Sequence, residues 1–319
     1  MKTNAGRCLY CYRELESGEV DFHRICSRKF FGSPDPPRLP FSEKQMPGLG
    51  QQVIRSQSAV AGVQPKLSLH LGKTREQDLP NRFTIVGLWG NYILKPPAQI
   101  YPGLPELEDL TMHLAEQSGL DTVPHSLIRL TSGTLAYITR RIDRQKDRKV
   151  HMEDMCQLTG RLTEHKYKGS YEQIGHAIMK YSVNPGLDIV NFFEQVVFSY
   201  LTGNSDMHLK NFSLINRPGL GWVLSPAYDM VSSALVVEGD KEELALNLNG
   251  KKRRIGIGDF RSAMAVCRVP PKAVENLLEK LSHSSESWSD TISISFIPGT
   301  MKEALARLIH ARRKVVFGE

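Results

Sequence analysis

The run from Asp188 to Leu201 constrains the fold most. Ile189, Phe192, Phe193, Val196, Val197, Tyr200 and Leu201 recur at helical spacing and make one wide apolar face. A helix with that face belongs in a core, so the segment after it stands on a rigid support. That segment is polar: Gly203-Asn204-Ser205-Asp206-Met207-His208-Leu209-Lys210-Asn211-Phe212. Gly, Asn, Ser and Asp are ordinary turn residues, and the plain structural reading is a loop between two apolar elements. Phe212–Ile215 then reads as a strand, Asn216–Gly221 as a turn and Gly221–Leu224 as a second strand. Ser225-Pro226-Ala227-Tyr228-Asp229-Met230 comes next, with Asp229 expected at the end of a strand.

The spacing of Asp206 and Asn211 has a chemical use. One short loop can aim a carboxylate at a nucleophile and a neutral oxygen at a metal ion beside phosphates. Protein-kinase catalytic loops have the same Asp-to-Asn spacing: the Asp accepts the substrate hydroxyl's proton and the Asn binds magnesium. Asp229 stands where a kinase carries its second magnesium ligand. Magnesium takes few carboxylates when substrate phosphates complete its shell, so one Asp and one Asn suffice.

Other parts of such a site are legible upstream. Ser58-Ala59-Val60-Ala61-Gly62-Val63-Gln64-Pro65-Lys66 leads into Leu67–Leu71, which alternates like a half-buried strand. Small residues and a glycine before a strand let backbone N–H groups approach phosphates, although loops use glycine for turns anyway. Asn91–Pro97 reads as a strand ending in Lys95, placed like the kinase strand lysine that pairs with nucleotide phosphates. A surface lysine is the bland alternative. Pro105–Gly119 is helical, with Leu107, Leu110 and Leu114 inward and Glu106 and Glu108 as candidate partners for Lys95. Ser126–Leu130 and Thr134–Ile142 pair as strands, and Arg140-Arg141-Ile142 marks the passage from strands to helices. From Met152 the pattern turns mainly helical, closing with Lys272–Leu281 and Met301–Val315.

Residues 1–32 hold Cys8-x2-Cys11 and His23-x2-Cys26. These pairs make either a tetrahedral Cys3His zinc site or a small reduced segment without metal, and the spacing leaves both open. Pro and Gly mark residues 33–50 as a linker. The expected organisation is therefore a Cys/His segment with linker over 1–50, a strand-rich lobe over 51–142 and a helical lobe over 143–319. Five cysteines fit a reducing compartment better than a disulfide framework. No apolar run approaches a membrane span, and the N-terminus lacks a signal peptide's apolar segment, so a cytoplasmic protein without membrane association is expected. A formal charge of +7 suggests acidic partners, but 41 basic residues stand against 34 acidic ones. Lys251–Arg254 and Arg312–Lys314 are local basic clusters, read first as solvated faces.

Together the parts resemble the HipA kinases of bacterial toxin–antitoxin systems, most closely the shorter HipT form. The resemblance rests on Val60–Lys66, Ile93–Lys95, Arg141–Arg144, Glu153–Cys156, Gly203–Asp206, His208–Phe212 and Ser225–Asp229, in the family's order. It implies an α/β, protein-kinase-like two-lobe fold and ATP-dependent serine/threonine phosphorylation of an aminoacyl-tRNA synthetase, arresting translation. By position it implies Asp206 as catalytic base and Asn211 and Asp229 as magnesium ligands. Lys95 and the loop Ala61, Gly62, Val63, Gln64, Pro65 and Lys66 would hold phosphates. Arg140, Arg141 and Ile142 would line the adenine hinge, with His208, Lys210 and Tyr228 flanking the nucleotide. The implied partners are a small HipS-like subunit and a DNA-binding HipB-like antitoxin, with DNA reached only through the latter. The family's autophosphorylated serine falls at Ala59, so the adjacent Ser58, or Ser56, is the expected substitute; control by antitoxin alone, and a sequence altered at position 59 to block the modification, are the other two readings. A kinase-fold enzyme acting on a small molecule and a non-catalytic DNA- or partner-binding regulator are the competing readings.

Overall fold

Alternating burial builds the first of two compact units. The computed structural model describes residues 6–42, 45, 66–72, 81–86, 90–98, 100–145, 148–237, 239 and 241–318. The first unit comprises Met1–Asp109, Val123–Arg141 and Ile294–Ile297. The second comprises Leu110–Thr122, Ile142–Ser293 and Pro298–Glu319. In the first, β1 (Leu67–Gly72), β2 (Arg82–Ile85), β3 (Tyr92–Lys95), β4 (His125–Arg129) and β5 (Leu135–Arg140) form an antiparallel sheet in the order β2-β1-β3-β5-β4. Leu67 faces Leu94, and Leu94 faces Ile138, so one apolar row runs across three strands. These residues join Phe83, Leu69 and Leu127 in a core that excludes water, each such side chain contributing about 1.5–3 kcal/mol.

The Cys/His segment shares that core. Helix α1 (Arg24–Phe31) buries Cys26, Phe30 and Phe31, and Phe31 meets Phe83 edge-on. Cys8, Leu9 and Phe22 lie in the same cluster. Gly90 is required where it stands: a Cβ there would come within 2.4 Å of the Leu69 carbonyl oxygen. Helix α2 (Leu104–Gln117) follows β3 and carries Glu108 and Asp109 into the first unit.

In the second unit the apolar stripe forms the expected helix, labelled α5 (Pro185–Thr202) after α3 (Met155–Leu158) and α4 (Tyr171–Tyr181). Phe192, Phe193, Val196, Val197 and Leu201 are fully buried. Pro185 starts the helix, where its missing N–H costs nothing. The hairpin β9 (Ser213–Arg217) and β10 (Gly221–Leu224) follows, pairing Ile215 with Val223. Asp188 near the start of α5 ties the two together by accepting the Leu224 N–H at 2.7 Å.

Two expectations are revised. The stretch after Met152 is not helical at once: β8 (Met152–Asp154) adds a third strand beside β9, after the short hairpin of β6 (Arg144–Gln145) and β7 (Arg148–Lys149). Asp154 then caps α3, its side chain accepting the Gln157 N–H at 3.0 Å. Asp229 does not end a strand either, since β10 stops at Leu224. Pro226 has no N–H to extend the ladder, and Asp229 takes a left-handed φ of 59°. Helices α6 (Ile257–Val266), α7 (Pro271–Glu286), α8 (Trp288–Ile294) and α9 (Gly299–Phe317) close the chain.

Candidate active site

The polar loop is held from both sides. Gly203 ends α5 with φ 69°, and its N–H reaches the Ser199 and Tyr200 carbonyls. A Cβ at Gly203 would sit 2.9 Å from Leu308 Cδ1, so both conformation and space call for glycine. On the far side, Ala234 donates its N–H to the Gly203 carbonyl at 3.0 Å, and the Ser205 N–H reaches Ser233 Oγ at 2.9 Å.

Asp206 emerges half-buried from this clamp. Its Oδ1 accepts the Tyr167 hydroxyl at 2.5 Å, and its N–H donates to Asn204 Oδ1 at 3.3 Å. His208 follows, buried, with its ring 5.0 Å from that of Tyr167. Burial is the main cause that pulls its pKa down to about 4, against the opposing pull of Asp206. It is therefore a neutral imidazole at physiological pH.

Asn211 and Asp229 meet directly. Asn211 Nδ2 donates to the Asp229 carbonyl at 3.4 Å. Asn211 is 3% exposed, and its Oδ1 has no hydrogen-bond partner among the described residues. A buried acceptor left in that state costs about 1–3 kcal/mol, so this oxygen is available to ligate a bound group. A neutral oxygen beside a carboxylate-bearing residue is a donor set that suits a hard divalent cation. The residues present thus fit magnesium.

Lys210 and Tyr228 act as the frame of the loop. Lys210 Nζ contacts Asp154 Oδ2 at 2.6 Å. The Tyr228 hydroxyl donates to the Lys210 carbonyl at 3.0 Å and lies 2.5 Å from Ser213 Oγ. Desolvation raises the Tyr228 pKa, so it stays a neutral donor.

In the first unit, Lys95 pairs with Glu108, the two residues 4% and 2% exposed. Its ammonium lies 5.5 Å from the centre of the Tyr137 ring. Glu106, the other candidate partner, is half-buried, and desolvation raises its pKa. Arg140 is exposed and Arg141 half-buried; their backbone N–H groups go to Pro124 and Asn91. Ile142, half-buried, begins the second unit's main segment, and Lys66 stands exposed just before β1. The expected phosphate-loop residues Ala61, Gly62, Val63, Gln64 and Pro65, with Ser56, Ser58 and Ala59, lie outside the described residues.

Three functional neighbours escape local sequence reasoning. Tyr167 contacts Asp206 across 39 residues, and Asp154 reaches Lys210 across 56. Asp109, next to Glu108, is buried and accepts the Tyr12 hydroxyl at 2.7 Å, with His125 Nδ1 at 2.8 Å on its other oxygen. That network fixes the turn of α2 that carries Glu108. No local spacing signals these contacts.

Comparison with known proteins adds to the geometry. A family model, the HipA-like C-terminal domain, matches residues 58–288. A Sinorhizobium fredii protein provisionally named kinase Y4dM is 36% identical over 207 residues, covering 61% of this chain and 49% of that protein. A Haemophilus influenzae protein, also provisionally named a kinase, is 32% identical over 225 residues, 66% of this chain and 61% of that protein. The chain therefore spans about half to three-fifths of the length of these relatives. A chain of the Shewanella oneidensis complex of HipA, HipB and operator DNA shares the fold, with a TM-score of 0.68 at 19% identity over 96% of this chain and 75% of that one.

Proposed function

The chain belongs to the HipA-like C-terminal domain family, and on that premise we propose that it is an ATP-dependent serine/threonine protein kinase, the toxin of a bacterial toxin–antitoxin system. The observation that carries the reading is the buried Oδ1 of Asn211, without a hydrogen-bond partner among the described residues, beside Asp229 and in the same loop as Asp206. In this reading Asp206 takes the proton from the attacking hydroxyl. Asn211 and Asp229 hold magnesium, which supplies charge neutralisation at the phosphates when bound. Lys95, oriented by Glu108, and Lys66 with the loop Ala61–Pro65 meet nucleotide phosphates. Arg140, Arg141 and Ile142 border the adenine, and neutral His208 with Lys210 and Tyr228 keeps the loop in shape.

The finer assignment is to the HipT form. Its substrate is then an aminoacyl-tRNA synthetase, and its partners are a HipB-like antitoxin and a HipS-like subunit, in the cytoplasm. The Shewanella complex of HipA with HipB and DNA supports a protein antitoxin as the link to DNA. Ser58 is the expected site of self-modification. The test is incubation of the purified chain with radiolabelled magnesium-ATP and bacterial lysate, beside Asp206→Asn. The reading requires label on serine or threonine of one synthetase with the wild type alone. Label appearing only in a small molecule, or equally with Asp206→Asn, overturns it.

A further inference from the structure

The structure assigns a metal site to a part of the chain that phosphoryl transfer does not use: we propose that Cys8, Cys11, His23 and Cys26 bind one structural zinc ion. The segment lies outside the family match at residues 58–288. Its four ligand atoms all lie within 4.8 Å of one another. Cys11 Sγ and Cys26 Sγ stand 3.4 and 3.7 Å from His23 Nδ1. A tetrahedral ion with bonds of about 2.3 Å to sulfur and about 2.0–2.1 Å to nitrogen places S and N roughly 3.5–3.6 Å apart. The observed separations straddle that edge length.

The surroundings prepare each ligand. His23 Nε2 lies 2.8 Å from the Glu14 carbonyl oxygen, which can only accept. The proton therefore sits on Nε2, and Nδ1 turns a lone pair toward the three sulfurs, the outer contact expected of a zinc-bound histidine. Cys8 and Cys11 are set by a tight turn: the Tyr12 N–H reaches the Cys8 carbonyl at 2.9 Å, and Tyr12 takes a φ of 62°. His23 stands at the N-cap position of α1 and Cys26 three residues on, which brings their side chains together. All three cysteines are free thiols.

Among the described residues the segment's one helix has eight residues, short of the roughly 12–15 that an isolated helix requires, so its order comes from packing and cross-links. It is docked at several points. Leu9's carbonyl accepts the Leu127 N–H at 3.3 Å, Asp21 holds Arg129 at 2.8 Å, and Tyr12 reaches Asp109 beside Glu108. Zinc would fix this segment against β4 and against the turn of α2 that holds Lys95's partner.

The test uses the full chain purified without chelator. Elemental analysis should find about one zinc per chain, and cobalt exchanged in its place should give the visible absorption of a tetrahedral thiolate site. His23→Cys should keep the metal, whereas Cys11→Ala should drop it below about one-tenth of an equivalent. If Cys11→Ala fails to fold, the wild-type stoichiometry and the cobalt spectrum still decide. A wild type that binds no zinc saturably on titration, or that carries a disulfide between two of these cysteines, overturns the proposal, whatever its kinase activity.

Discussion

Replacing Glu108 with Gln tests whether the Lys95 pair is as demanding as its burial implies. Lys95 is 4% exposed and Glu108 2%, so bulk water screens neither group. Glu108→Gln keeps the shape and removes the charge. The ammonium then stays inside the first unit without this carboxylate, beside the Tyr137 ring at 5.5 Å. Breaking a buried pair from one side costs about 3–5 kcal/mol. Gln can still offer an oxygen, which puts the expected loss near the lower end, at about 3 kcal/mol. For a chain of 319 residues melting should fall by about 1.5 °C per kcal/mol, so roughly 4–5 °C. Lys95→Met should cost a similar amount, whereas Lys95→Met with Glu108→Leu should return to within about 1 kcal/mol of the wild type, because a packed apolar pair replaces a buried ionic one. Urea titration with an unchanged m-value is the assay. A Glu108→Gln protein within about 0.5 kcal/mol of the wild type would refute the reasoning.

Two further predictions concern the loop. His208 titrates near 4 in the folded chain against 6.5 unfolded. The unfolded chain therefore binds more protons between those values, and stability falls as pH drops from about 6.5 toward about 4, by at most ~3 kcal/mol; urea midpoints across that range should lose this slope in His208→Gln, and identical slopes would sink the assignment. Gly203→Ala forces a left-handed φ of 69° and a 2.9 Å approach to Leu308, so equilibrium unfolding should show a loss of at least about 1–2 kcal/mol; an unchanged midpoint would mean that the loop relaxes freely.

Local periodicity made much of this fold legible. The stripe from Ile189 to Leu201 specifies its helix because its apolar positions repeat within that one element; the burial of Glu194, Gln195 and Ser199 on the remaining faces carries no such signal. The hairpin of Ser213–Leu224 was readable because turn residues separate two short apolar runs. The Lys95 partner was narrowed to Glu106 or Glu108, and only packing chose Glu108. The strand Met152–Asp154 is not legible because three residues carry no period of their own; their partner strand lies about sixty residues on. The position of Asp229 is not legible because a strand pattern does not show where proline ends the ladder. Tyr167 with Asp206, and Tyr12 with Asp109 and His125, are contacts between distant segments that no spacing encodes.

The central claim is that Asp206 acts on the substrate while Asp229 and Asn211 act on the metal. It is tested most directly by measuring phosphoryl transfer and magnesium-dependent ATP affinity side by side for Asp206→Asn and Asp229→Asn. Both variants should fold and lose transfer. Asp229→Asn should also lose the magnesium-dependent part of ATP binding, and Asp206→Asn should keep it. Full transfer by either folded variant, or ATP affinity that ignores magnesium in the wild type, would contradict the account.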